Sequence, residues 1–233
     1  MKALITGPGR GGTNLLNEFV RSTNQFIFSE TVEDREFFNY KTIPRNYATK
    51  LATENMGVSI ENLDKVLKKN PTLIIFFSVR HPVDCCLSKI YRGRPKSEGG
   101  DSTKQCPDGT VDSSIRSVNY AFDILSYLKS SYPNRVKDIK MEDLIQNTEQ
   151  ACGDICSFLD ISRSYVPSML GAYKHNRNIN HQKRYKTLDP KTIDMLKNLD
   201  ESWDGFFKNK RYNIIEPIIT GCCHICNEYN YEY

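Results

Sequence analysis

A glycine-rich stretch near the amino terminus contains residue types that can hold an anion. It reads GPGRGGTN, residues 7–14, and connects an apolar run at residues 2–6 to an amphipathic run at residues 13–21. A glycine-rich turn that leads into a helix gathers backbone N–H groups at the positive end of the helix dipole, which suits phosphate or sulfate. Arg10 adds a planar cation and Thr13 adds a hydroxyl. The stretch therefore predicts a loop that cradles an anion.

The same stretch lacks two parts of a Walker phosphate loop, whose pattern is G-x-x-x-x-G-K-[ST]. Thr13 stands where that pattern has its lysine, and Asn14 stands where it has the hydroxyl that binds magnesium. The apolar run at residues 73–79 ends in Arg80, whereas a magnesium site would need an acidic residue there. We therefore expect a site that works without a metal ion. A glycine-rich turn that binds nothing is the alternative.

A second stretch, RHPVDCCLS at residues 80–88, could hold another anion. Arg80 follows a continuous apolar run typical of a buried parallel strand, and open α/β sheets bind ligands at the carboxyl ends of such strands. Ser88 follows in the helix that Pro82 is expected to begin. An ion pair between Arg80 and Asp84, and an ordinary helix-surface serine at position 88, are the alternatives.

Taken together, the two stretches resemble the PAPS-dependent sulfotransferase family. The first is similar to the family's 5′-phosphosulfate loop: its GGT is like the heparan-sulfate type and its arginine is like the tyrosylprotein type. The second matches the family's 3′-phosphate motif, R-[DNH]-P-x-D-x-x-x-S, at Arg80, His81, Pro82, Asp84 and Ser88. KMEDL and ICSFLDI, at residues 140–144 and 155–161, also resemble family stretches, so the resemblance extends over residues 2–161.

The resemblance implies sulfuryl transfer from 3′-phosphoadenosine-5′-phosphosulfate (PAPS) to a hydroxyl or amine, without a metal and with adenosine 3′,5′-bisphosphate (PAP) as product. It implies that Arg80 and Ser88 bind the 3′-phosphate. Lys183 and Arg184, in the basic stretch at residues 174–186, could close over that phosphate or contact an acidic acceptor, and a solvated loop is the alternative. Asn14 differs from the serine or threonine usual in the family. The residues implied to bind the phosphosulfate are Gly9, Arg10, Gly11, Gly12, Thr13 and Asn14.

Sulfuryl transfer also needs a base for the acceptor and positive partners for the transferring group. Arg10 is expected to supply the positive charge. Glu30 follows a predicted strand at residues 25–29 and resembles the acidic position of the tyrosylprotein type, although its spacing is offset. Glu33 is the second candidate, because its surroundings resemble the heparan-sulfate type. Solvated acids at a helix start are the alternative.

The elements that must position these residues alternate between apolar and amphipathic runs. This alternation predicts βαβ units in a three-layer α/β/α, P-loop-like fold with a central parallel sheet. Residues 93–111 are rich in Gly, Pro and Ser and predict a lid or a substrate-contacting loop. The predicted strands cover residues 2–6, 25–29 and 73–79, and residues 135–144 are predicted to contain a further strand and its exit. The predicted helices cover residues 13–21, 59–69 with Ser59 as N-cap, 115–128, 148–159 and 190–208.

Composition limits the remaining possibilities. The 233 residues show no repeat or compositional break, which predicts a single domain over residues 1–233. A net charge of +4 permits an anionic ligand but gives no argument for nucleic acid. With no long apolar run and a first strand that begins at Lys2, we expect no signal peptide, no membrane association and a cytoplasmic location. The acceptor could be a carbohydrate, a lipid, a peptide tyrosine or a small molecule, and the oligomeric state is not readable.

The chain contains eight cysteines, which we expect to be free thiols because nothing indicates secretion. The tail offers Cys222, Cys223, His224 and Cys226 as a possible zinc cluster, but structural zinc sites usually combine two spaced pairs of ligands. We therefore expect no metal.

Three alternatives to an active sulfotransferase remain. One is a small-molecule or nucleotide kinase with a degenerate P-loop, which the missing lysine and the basic strand end disfavour. A second is a non-catalytic nucleotide-binding or nucleic-acid-binding protein. The third is a sulfotransferase that has lost activity, which the unusual Asn14 leaves open.

Overall fold

A computed structural model describes residues 1–29, 33–34, 36–55, 57–93, 110–171 and 212–231. Contacts divide the chain into two compact units. The first unit contains Met1–Arg80 and Asp123–Tyr185, and the second contains His81–Phe122 and Lys186–Tyr233. The single domain expected over residues 1–233 stays a prediction.

The first unit is built on a five-stranded parallel sheet, in the order β2-β3-β1-β4-β5. Every side chain of β1 after Lys2 is buried, and β4 is similarly enclosed, which explains why both strands have nearly continuous apolar sequences. The predicted parallel α/β sheet is confirmed, but β3 was not predicted. The strands are β1 Lys2–Thr6, β2 Ile27–Phe28, β3 Tyr47–Lys50, β4 Leu73–Val79 and β5 Val136–Lys140.

Helices flank the sheet and share a core with it. Leu16 and Phe19 of the first helix pack in one cluster with Phe76 of β4 and Ile155 of α6. Full burial of such a side chain stabilises the fold by about 2 kcal/mol. The helices of this unit are α1 Thr13–Arg21, α2 Ile60–Lys69, α5 Met141–Gln146 and α6 Thr148–Phe158. Helix α4, Val111–Ser131, belongs to this unit from Asp123 onward.

Polar contacts fix both ends of α2. Ser59 is the predicted N-cap, and its hydroxyl accepts the N–H of Asn62 at 3.2 Å. At the other end, the Arg135 guanidinium donates to the carbonyl oxygens of Leu67 and Asn70. The same two carbonyls also accept the backbone N–H groups of Asn70 and Leu73, at 3.3 and 3.0 Å. Arg135 therefore adds charged donors at a helix end where intrahelical N–H groups run out.

The second unit pairs α3 (Pro82–Gly93) with a carboxyl-terminal helix, α7 (Tyr212–Tyr229). The Cys86 and Cys222 thiols share a hydrogen bond between these helices. Gly221 of α7 also lets Ile115 of α4 approach closely, because a Cβ at Gly221 would lie 2.8 Å from Cγ2 of Ile115. Helix α7 was not predicted, and the helix predicted at residues 190–208 lies outside the described residues.

Within the described ranges, none of the helices has the length and apolar character needed to cross a bilayer. The cytoplasmic location stays a prediction.

Candidate active site

The glycine-rich loop follows β1 at the carboxyl edge of the sheet. Gly7 has φ +139°, and a Cβ at this position would lie 2.5 Å from the carbonyl oxygen of Ser78. Gly12 has φ +93°, and a Cβ there would collide with the sulfur of Met141. Both positions therefore require glycine for backbone reasons, independently of any ligand.

The end of β4 holds the loop through two side chains. The Ser78 hydroxyl donates to the carbonyl oxygen of Gly11, and the Arg80 guanidinium donates to the carbonyl oxygen of Arg10 at 3.0 Å. Arg10 itself has φ +71°, a left-handed conformation that costs a non-glycine residue about 1–2 kcal/mol. The contacts from β4 offset this cost and fix the loop carbonyls.

Helix α1 begins directly after the loop with features that suit an anion. No side chain caps its amino terminus, and its first turn contains no acidic residue. Thr13 is buried at this end, whereas Asn14 is exposed. The positive end of the helix dipole therefore has no acidic side chain in its own first turn.

A buried lysine from β3 reaches the same helix end. The Lys50 side chain is 7% exposed, and its Nζ donates to Oδ1 of Asn14 at 2.8 Å and to Oε1 of Glu33 at 3.0 Å. Glu33 is thereby brought beside the loop, with 28% of its side chain exposed. Sequence reasoning missed Lys50, because its position is informative only once β3 is recognised as a strand of this sheet.

The segment that carries Glu33 is fixed by its neighbour Asp34. The buried Asp34 carboxylate accepts the Tyr47 hydroxyl and, at 3.1 Å, the N–H of Glu36. Burial and this hydrogen bond raise the pKa of Tyr47 well above its ordinary value, so the phenol stays protonated as the donor. Asp34 therefore anchors Glu33 to β3.

A carboxylate also contacts the loop directly. The backbone N–H of Gly9 donates to Oε2 of Glu54 at 2.7 Å. Glu54 follows β3, and the N–H of Thr53 bonds the Gly7 carbonyl at 3.0 Å, so this segment runs beside the loop. Sequence reasoning missed Glu54 as well, because no local pattern marks it.

The structure brings some of the predicted site residues together, places one in the other unit, and does not describe the rest. The loop residues Gly9–Asn14, Glu33 and Arg80 come together in the first unit. Ser88 is partly buried on α3 in the second unit. Glu30, Lys183 and Arg184 lie outside the described residues. The sequence-based roles of all these residues stay predictions.

The tail cysteines provide no metal cluster among the residues that the structure describes, which contain no group of three or more potential His, Cys, Asp or Glu ligands. Cys222 and Cys226 are buried, and Cys223 is exposed.

The parallel sheet brings the glycine-rich loop, Lys50 and Arg80 together at the ends of its strands, which defines an α/β protein of the phosphate-loop-like class. A sequence model of the sulfotransferase domain matches residues 1–219, and the chain belongs to this family. It is a PAPS-dependent sulfotransferase, and the kinase alternative is not favoured.

Solved structures of sulfotransferases have the same fold. The mouse sulfotransferase SULT7A1 complexed with PAP has a TM-score of 0.60 at 16% identity, covering 98% of this chain and 88% of that one. The sulfotransferase domain from the curacin biosynthetic pathway has a TM-score of 0.58 at 17% identity, covering 99% and 97%. A sulfotransferase from Alicyclobacillus acidocaldarius has a TM-score of 0.55 at 13% identity, covering 97% and 95%. A comparison with curated protein sequences found no match.

Proposed function

We propose that the glycine-rich loop holds the phosphosulfate of PAPS, with Arg10 and Lys50 as its positive partners. The observation that carries this assignment is the convergence at one helix end. Helix α1 begins there without an acidic residue, and the buried Lys50 ammonium bonds Asn14 in its first turn. The Asn14 side chain accepts the Lys50 hydrogen bond through Oδ1. Its side-chain NH₂ group takes no part in that contact and can donate to an oxygen of the anion.

PAPS supplies both the sulfuryl group and its leaving group, so the protein has to position it and stabilise charge. In this proposal, the loop N–H groups and Lys50 stabilise the negative charge that develops on the leaving phosphate. Fixed donors of this kind need no reorganisation during the reaction. The Ser78 and Arg80 contacts to the loop carbonyls provide that rigidity.

A carboxylate takes the proton of the acceptor hydroxyl or amine in this proposal. Glu33 is supported by its contact with Lys50, which holds its carboxylate beside the loop. Glu30 remains the second candidate on its sequence position. A general base of this kind accounts for about 100-fold or more of the rate.

The other end of the donor carries the 3′-phosphate, for which Arg80 and Ser88 are our candidates, with Lys183 and Arg184 as additional basic partners. The guanidinium of Arg80 suits this role because it is permanently charged and lies at the carboxyl end of β4. The acceptor remains a carbohydrate, a lipid, a peptide tyrosine or a small molecule, selected by residues 33–57 and 93–111. We expect a cytoplasmic protein without nucleic-acid or membrane partners.

Calorimetric titration with PAP in the presence of EDTA tests the donor site. Wild type is expected to bind PAP without magnesium, and Arg80→Ala is expected to weaken binding by at least about tenfold, because a charge-assisted contact is lost. Arg116→Ala removes an exposed arginine from α4 and serves as the control. Since Arg80 also bonds the loop, melting temperatures and Arg80→Lys separate charge from folding. A preference for ATP with Mg²⁺ would contradict the proposal.

The base is tested separately, by PAP release from PAPS with a panel of phenols, alcohols and amines. Glu33→Gln or Glu30→Gln is expected to lower turnover by about 100-fold or more while PAP affinity changes by less than about threefold. Full activity in both variants would exclude a base at either position.

A further inference from the structure

The carboxylate of Glu54 lies against the glycine-rich loop, the segment proposed to bind the anionic donor. Oε2 of Glu54 accepts the Gly9 N–H at 2.7 Å, one residue before Arg10. A Cβ at Gly9 would lie 2.9 Å from this oxygen and 3.3 Å from the carboxyl carbon, so the carboxylate occupies the space beside the glycine. The loop amide that sequence reasoning assigned to the donor is therefore bonded to an acidic side chain of the protein itself.

The backbone around Glu54 keeps this carboxylate near the loop. The chain after β3 continues to pair with β1 and the loop: the N–H of Leu51 bonds the Ile5 carbonyl at 2.9 Å, and the N–H of Thr53 bonds the Gly7 carbonyl at 3.0 Å. The Glu54 side chain is exposed and can rotate into solvent, whereas its Cα cannot leave the loop without breaking these bonds. Its charge consequently stays close to any anion bound in the loop.

Like charges at this range repel unless solvent screens them. A bound phosphosulfate would lie next to the Glu54 carboxylate and would compete with it for the Gly9 N–H. Glu33 also lies beside the loop, where its carboxylate contacts the Lys50 ammonium at 3.0 Å. Glu54 bonds an amide of the anion loop itself, at Gly9.

We propose that Glu54 is an internal anion of the donor site, which PAPS displaces when it binds and whose charge sets the affinity for both donor and product. This inference rests on the proposed donor site. The carboxylate weakens the binding of a multiply charged ligand, and by returning to the Gly9 N–H it assists the release of PAP. It makes Glu54 a determinant of donor affinity and of product release, with no part in proton transfer.

Calorimetry with PAP tests the inference in wild type, Glu54→Gln and Glu61→Gln. Glutamine keeps an oxygen for the Gly9 N–H but removes the charge. We expect Glu54→Gln to bind PAP about tenfold more tightly at about 50 mM salt, and this gain to shrink at about 500 mM salt because screening weakens the repulsion. Glu61→Gln, which removes an exposed charge from α2, is expected to leave the affinity unchanged within about twofold.

The outcomes separate this inference from the donor-site proposal. If wild type binds PAP and Glu54→Gln binds it equally or more weakly, the internal-anion role is wrong while the donor site stands. If none of the proteins binds PAP, both are wrong. A salt-independent gain would also contradict the role, because it would indicate a loop rearrangement. Glu54→Ala, which removes charge and acceptor together, replaces Glu54→Gln if the latter melts below wild type.

Discussion

The loop edge of the first unit and the α3–α7 pair of the second unit are held by different kinds of contact. At the loop edge, Ser78, Arg80 and Lys50 donate directed hydrogen bonds to backbone or side-chain oxygens. In the second unit, buried thiols of α3 and α7 pack together, and Tyr229 of α7 also packs against Phe122 of α4 with ring centroids 5.6 Å apart. Directed bonds fix a geometry, whereas apolar burial contributes stability with less demand on orientation. Changes at the loop edge should therefore alter ligand affinity, and changes at the buried thiols between α3 and α7 should alter stability alone.

The largest effect is expected from Gly7→Ala, which attacks the geometry of the loop. The new Cβ would lie 2.5 Å from a backbone oxygen of β4 and would require φ +139°. We expect the free energy of unfolding in urea to fall by more than about 3 kcal/mol and PAP binding to be lost. Gly171→Ala is the control, because a Cβ there meets no atom within 4 Å. Wild-type stability in Gly7→Ala would mean that the loop is not constrained as described.

A matched pair of smaller changes, Ser78→Ala and Cys222→Ala, tests the comparison most directly. The first removes the donor to the Gly11 carbonyl, and the second removes one thiol of the Cys86–Cys222 pair. Each is expected to cost about 1–2 kcal/mol of unfolding free energy. Only Ser78→Ala should also weaken PAP binding, by about threefold or more. An equal change in PAP affinity in both variants would contradict the distinction between the two regions.

The smallest effect concerns Asp64, which lies on α2 in the first unit. Hydrogen bonds from the Lys68 ammonium, then from the Tyr132 and Tyr127 hydroxyls, lower the pKa of Asp64 from 3.8 to about 2. Because the folded-state pKa is depressed, the stabilisation is complete above pH 4 or so and is lost as the pH falls towards 2. In urea unfolding, Asp64→Asn should have a lower free energy of unfolding at pH 7 than wild type. Its free energy of unfolding should also fall less steeply between about pH 4 and pH 2.

The same variant should leave PAP affinity unchanged, because Asp64 bonds tyrosines and a lysine away from the loop. Glu61→Gln, which removes an exposed i,i+4 pair with Lys65, is the control and should change the acid dependence less. If the stability of Asp64→Asn fell as steeply with decreasing pH as that of wild type, the assigned pKa would be contradicted.

Local sequence patterns predicted much of the fold. Apolar periodicity and the positions of glycine and proline correctly predicted strands β1 and β4, helix α1, the Ser59 cap and the start of α3 at Pro82. Each of these features depends on neighbours in sequence, which is why a single chain reveals them. The family resemblance depends on the same two local motifs.

Features that depend on distant partners were missed. β3 is four residues long, and its sequence YATK has no clear alternation, so only its pairing with β1 and β2 makes it a strand. Helix α7 contains Pro217, Gly221 and β-branched isoleucines, which lower helix propensity, and its packing on α3 overrides that preference. Lys50 and Glu54 escaped prediction because their approach to the loop follows from the β3 register.

The strand order has a consequence for how activity is lost on heating. β3 lies between β1 and the two-residue outermost strand β2, whose Ile27 is 70% exposed. Fraying that begins at this margin would withdraw Lys50 and Glu54 from the loop while β1, β4 and β5 remain paired. Thermal inactivation should accordingly precede the cooperative melting of the sheet.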